Sequence, residues 1–120
     1  MGYTHYWEPT TSTEEKTWER FTRIVGQIKD KAGVELEDNS EGECVFLNGV
    51  GEDAHETFAV GRETTGFNFC KTARKPYDAV VVGCLEAAKR LGMFDWSSDG
   101  SGDEHADGIA LCEEAMSLEP

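Results

Sequence analysis

Two apolar stripes constrain this chain more than any other feature. Trp18, Phe21, Val25, Ile28 and Ala32 recur at three- and four-residue spacing and stop at Gly33, the repeat of a helix with one buried face. Ser12 followed by Glu15 has the form of a capping box, so the spacing predicts a helix over 13–32. A second stripe of Tyr77, Val81, Cys84, Ala88 and Leu91 follows Pro76 and ends before Gly92. Proline's fixed φ and missing N–H suit a first helical position, which predicts a helix over 76–91. Its polar face is short, so burial on most sides is expected.

The segments 43–47, 56–60 and 66–71 are short, aromatic or β-branched, and bounded by Gly, Asn or Asp. They read as strands, with 3–7 and 94–97 as additional ones and 108–116 as a short third helix. Residues 97–108, rich in Gly and Asp, read as a long loop. The expected fold is α+β: a small antiparallel sheet packed against two main helices, in a single domain over 1–120 with an acidic loop and tail from about 97.

Charge narrows the function. There are 24 acidic against 11 basic side chains, a net charge of -13, which argues against general DNA binding because phosphate neutralisation needs surplus Lys and Arg. No apolar run approaches the roughly 20 residues of a membrane span, and no leader with a basic start and apolar centre is present, so a soluble cytoplasmic protein is expected. Residues 35–56 and 95–120 each carry eight acids and no base. Between them, Arg62, Lys71, Arg74, Lys75, Lys89 and Arg90 face only Glu63, Asp78 and Glu86. Such an island suggests a localised anion site, against the plainer reading of a surface paired with nearby carboxylates. Cys44, Cys70, Cys84 and Cys112 lack the close pairing of zinc ligands and read as reduced core residues, so neither metal nor cofactor is expected.

The most specific local feature is the run from Phe69 to Asp78, which brings Lys71, Thr72, Arg74 and Lys75 to the start of a predicted helix. Free N–H groups and the dipole favour an anion there. Arg74 can bind a phosphate through two donors, Lys71 and Lys75 as point charges, and Thr72 through its hydroxyl, with Arg62 as a further contact from the island. The run lacks the glycines of a phosphate-binding nucleoside triphosphatase loop. In 48–58, strand alternation would place Asp53, His55 and Thr57 on one face, where Asp53 could orient His55 as a general base. In 95–105, Asp95, Ser97, Asp99 and Gly100 fall at calcium-loop spacing, but Ala106 stands where the bidentate Glu belongs. His5 lies among Tyr3, Tyr6 and Trp7, rings that could stack on a base.

Four ordered motifs resemble a family of small proteins widespread in bacteriophage and bacterial genomes. They are the opening Gly2-Tyr3-Thr4-His5-Tyr6-Trp7, Phe46-Leu47-Asn48-Gly49 with 52–58, the run from Phe67 to Asp78, and Ser97-Ser98-Asp99-Gly100. The acidic tail after Gly102 lies outside the likeness. The resemblance implies context rather than an activity: a phage or mobile element, and action inside an infected bacterial host. In that context the expected function is counter-defence by binding and sequestering an anionic nucleotide second messenger, such as a cyclic nucleotide or ADP-ribose derivative. Phosphates would lie on Lys71, Thr72, Arg74 and Lys75, and the base against Tyr3, Tyr6 or Trp7. One alternative is a phosphodiesterase-like enzyme, with His5 or His55 as base and Asp53 or Asp99 assisting. Another is an acidic nucleic-acid mimic that blocks a host effector, and the plainest is an acidic surface serving solubility. A homo-oligomer completing the site is compatible with all of these.

Overall fold

A computed structural model describes residues 3–119. In chain order the elements are β1 (Thr4–Trp7), α1 (Glu15–Ala32), β2 (Glu37–Asp38), β3 (Cys44–Asn48), β4 (Phe58–Gly61), β5 (Asn68–Lys71), α2 (Asp78–Arg90), β6 (Trp96–Ser98) and α3 (Gly102–Ser117). The fold is α+β, with two antiparallel three-stranded sheets ordered β5-β1-β6 and β2-β3-β4 where one small sheet was expected. β1 is the centre of the first sheet, with His5 opposite Cys70 on one side and Ser98 on the other. β2 escaped the sequence reading because both its residues are exposed and carry no apolar alternation.

Both predicted helices form, with shifted starts. α1 begins at Glu15, and Glu14 at its cap makes no side-chain capping bond, so the Ser12 capping box does not form. Thr13 is held elsewhere: its N–H donates to the Arg62 carbonyl, and Arg62 Nε donates to the Thr13 carbonyl, each at 2.8 Å. This tie keeps the chain extended through Glu14, whose ψ is 148°. α1 buries Trp18, Phe21, Ile24, Val25 and Ile28, each aliphatic or Phe side chain contributing roughly 1.5–3 kcal/mol. α2 starts at Asp78 rather than Pro76, because two tight turns precede it: Lys75 N–H donates to the Thr72 carbonyl at 3.0 Å and Asp78 N–H to the Lys75 carbonyl at 2.8 Å. It buries an unbroken run from Val80 to Leu85 between α1 and α3.

The C-terminal quarter departs furthest from the sequence reading. The expected loop and tail from 97 are instead the end of β6 and the 16-residue α3, which starts six residues before the short helix predicted. Asp103 and Glu104 occupy its first turn, where carboxylates oppose the positive end of the dipole. Gly108, which had looked like a loop boundary, is a contact residue. A Cβ there would lie 2.5 Å from Val82 Cβ and 2.8 Å from the Ala79 carbonyl oxygen. Gly83 of α2 faces it, its own Cβ position 3.1 Å from the Gly108 oxygen. Helical periodicity is hard to see where the closest residue in a helix contact has no side chain. No helix among the described residues is long and apolar enough to cross a membrane.

Candidate functional site

The central strand carries alternate side chains to opposite faces, and His5 points inward with no accessible surface. Its Nε2 lies 2.6 Å from Asp78 Oδ1 and its Nδ1 2.8 Å from Ser98 Oγ. A carboxylate only accepts, so Nε2 is the donor. Ser98 Oγ receives the Gly100 N–H at 3.0 Å and, with the ring neutral, gives its own proton to Nδ1. Asp78 Oδ1 also accepts from the buried Thr72 hydroxyl at 2.6 Å. One histidine therefore joins β1, β6 and the first residue of α2.

Beside this network, Tyr3 Oη and His105 Nε2 are buried without a hydrogen-bond partner among the described residues. Their rings stand 5.1 Å and 5.9 Å from the His5 ring. Burial raises the Tyr3 phenol above its ordinary value, reinforced by Asp78 and Glu104. Burial lowers the His105 imidazole, reinforced by His5. Gly100 packs on Tyr3, since a Cβ there would meet the phenol oxygen at 2.3 Å.

Outside this core, the turn after β5 is built from two L-residues in left-handed conformation, Ala73 (φ 52°) and Arg74 (φ 56°). Tight turns of this hand ordinarily recruit Gly, Asn or Asp, so the pair stores backbone strain. The turn holds the Arg74 guanidinium 4.2 Å from the Tyr3 ring centroid, with Nε donating to Glu104 Oε2 at 2.7 Å. That hydrogen bond raises the guanidinium further above its ordinary value. Tyr3, Arg74, Lys75 and Asp78 line a cleft of about 290 Å³, closed on the other side by Glu104 and Asp107 of α3.

Compared with known protein families, curated proteins and solved structures, the chain finds no match.

The structure divides the residues singled out from the sequence. Tyr3, Arg74 and Lys75 share the cleft, while Thr72 lies beneath it, buried and committed to Asp78. Arg62 directly follows β4 of the second sheet, and its Nη1 donates to Glu43 at 2.8 Å. Lys71 is exposed, with Nζ 5.9 Å from the Phe69 ring, and forms no ion pair among the described residues. Tyr6 and Trp7 line a different pocket, and Trp7 is buried. Asp53 falls in a short 3-10 turn, Gly51–Asp53, and β4 starts only at Phe58, so the expected alternation of Asp53, His55 and Thr57 on one face is absent. His55 Nδ1 instead bonds the Lys71 carbonyl oxygen at 2.8 Å. Asp99 accepts from Thr4 N–H at 3.1 Å and Tyr6 Oη at 2.9 Å. Among the described residues no three His, Cys, Asp or Glu side chains are placed to hold a metal ion. Sequence reasoning missed Ser98, Glu104 and His105, which converge through sheet register and the course of α3 rather than through any spacing along the chain.

Proposed function

We propose that the protein binds and sequesters a small anionic nucleotide of the second-messenger kind, in the cleft between the 72–78 turn and α3, as a phage-type counter-defence protein acting in the host cytoplasm. The observation that carries this reading is Arg74. A strained left-handed turn presents it over an aromatic face, 58% exposed, with Lys75 beside it. The protein's own Glu104 now accepts from the guanidinium Nε, and a phosphate would replace it. An exposed ion pair has little net stability to lose in such an exchange, whereas a phosphate offers bidentate acceptors with more charge. Asp78 and Asp107 also line the cleft, so the reading requires a ligand whose phosphate meets Arg74 and Lys75 while its sugar or base faces the carboxylates. Sequestration needs no chemistry, only affinity and protein in excess of the signal. Binding without turnover is favoured because His5 is wholly buried.

One observation favours a second reading, a phosphodiesterase-like hydrolase. Ser98, His5 and Asp78 are joined in the order nucleophile, base and orienting carboxylate at 2.8 Å and 2.6 Å, an arrangement that activates hydroxyls in acyl and phosphoryl transfer. Incubation with a panel of cyclic dinucleotides and ADP-ribose derivatives, followed by denaturation and recovery, separates the two. The binder depletes the ligand and returns it intact, and Arg74→Ala abolishes depletion in a chain that still folds. A hydrolase returns altered products and loses that activity in Ser98→Ala. Absence of depletion and of products refutes both.

A further inference from the structure

A second pocket, of about 280 Å³, lies where β1 ends and β6 begins, and its chemistry differs from that of the cleft. Tyr6 and Phe67 supply an aromatic wall, Glu8 and Asp95 supply carboxylates, and no Lys or Arg lines it; Trp96, opposite Trp7 in the register, packs its ring on His5 and His105 at the other face of the sheet. The polar hydrogen of the Tyr6 ring is already spent on an acid, since Tyr6 Oη donates to Asp99 at 2.9 Å. What this ring offers a ligand is its π face, made more electron-rich by that bond. Phe67 is 63% exposed and stacks on Tyr6 with centroids 6.1 Å apart, extending the aromatic wall into solvent. Elsewhere the chain fills such faces with its own cations, Lys71 on Phe69 and Arg74 on Tyr3.

We propose that this aromatic and acidic pocket binds an alkylated ammonium group. An anion would meet Glu8 and Asp95 as like charges. A compact, strongly hydrated cation would lose more hydration than π faces return, whereas a quaternary ammonium is weakly hydrated and matches both the apolar walls and the carboxylate rim. None of these residues belongs to the Arg74 cleft, so the proposal stands or falls apart from the nucleotide reading.

The probe is choline, set against 3,3-dimethyl-1-butanol, its uncharged counterpart of the same shape, at constant ionic strength. Binding is read from the backbone N–H signals of Glu8, Phe67 and Ser97, which line the pocket, in two-dimensional NMR. The expected result is a saturable shift of these signals with choline and none with the alcohol. Phe67→Ala, at an exposed position that leaves the core intact, should weaken choline by roughly threefold to thirtyfold, and Asp95→Asn should weaken it measurably. Glu114→Gln, on α3 and outside the pocket, should leave it unchanged. Equal binding of the alcohol, no response to choline, or a choline response indifferent to Phe67→Ala and Asp95→Asn would each overturn the assignment. The last outcome would mark general attraction to an acidic protein.

Discussion

Replacing Gly108 by alanine sets two effects of known sign against each other. In a helix interior the change is worth about 1 kcal/mol in favour of the folded state, because glycine loses more backbone freedom on folding. Against it stands the α2–α3 contact, where the new methyl would sit 2.5 Å from Val82 Cβ and Cγ1 and 2.8 Å from the Ala79 carbonyl oxygen. Ordinary carbon contacts begin near 3.5 Å, so the helices must part by about 1 Å. Neither neighbour yields readily, since valine is confined to one rotamer in a helix and the Ala79 oxygen is backbone. Overpacking of this kind costs about 1–3 kcal/mol, and the rigid surroundings place it at the upper end, leaving Gly108→Ala net destabilised by about 2 kcal/mol. Gly26→Ala in α1 is the control, because nothing lies within 4 Å of its Cβ position; it should gain the propensity term of about 1 kcal/mol alone. Urea unfolding of both variants at 25 °C, with unchanged slopes, should therefore separate them by about 3 kcal/mol. If Gly108→Ala matches Gly26→Ala within about 0.5 kcal/mol, the close crossing of α2 and α3 is not what positions Glu104 against Arg74.

Three further outcomes are expected. His5→Ala removes a fully buried ring and strips Asp78 and Ser98 of a shared partner, so urea unfolding should show a loss of about 2–4 kcal/mol; a loss under about 1 kcal/mol would mean that the network does not hold β1, β6 and α2 together. Burial, then His5, lowers the His105 imidazole in the folded chain, so the unfolded chain takes up that proton first and stability falls as pH drops below about 6.5. His105→Gln should flatten this part of the stability profile between about pH 7 and pH 5.5, and an unchanged slope would assign it elsewhere. Burial pushes the Cys70 thiol up to about 12 and the Cys112 thiol up to about 11, and raises Cys84 as well, while Cys44 is the one half-buried thiol beside three buried ones. Native protein should show one fast-reacting thiol, absent from Cys44→Ser, and the other three only on unfolding; a second fast thiol would contradict the packing around α2.

The parts of the candidate site that were legible from the sequence are those written in consecutive residues. The run from Lys71 to Asp78 announces a charged strand-to-helix junction, and Arg74 and Lys75 do reach one cleft. The run gives no sign that Thr72 turns inward to Asp78, because a threonine before a turn serves equally as a phosphate contact or a buried donor. Asp78 looked like a counter-charge to the island. In the structure it accepts from both Thr72 and His5, residues 6 and 73 positions away. Three of the island's six cations find partners remote in sequence, Glu43 for Arg62, Glu104 for Arg74 and Glu113 for Arg90, which also pairs with Glu86 one turn away.

By itself the sequence determined the α+β class, the stripes of α1 and α2, and five of the six strands, because helical and strand periodicity are local properties of burial. Tertiary structure alone decided that the strands split into two sheets and that β1 lies between β5 and β6, since register depends on partners far along the chain. It also decided that the third helix, expected only from Gly108, begins at Gly102: its contact with α2 is made by Gly108 against Gly83, and two missing side chains leave no apolar signal to carry the stripe back. The cleft exists because that helix crosses closely enough to set Glu104 and Asp107 opposite Arg74 and Lys75.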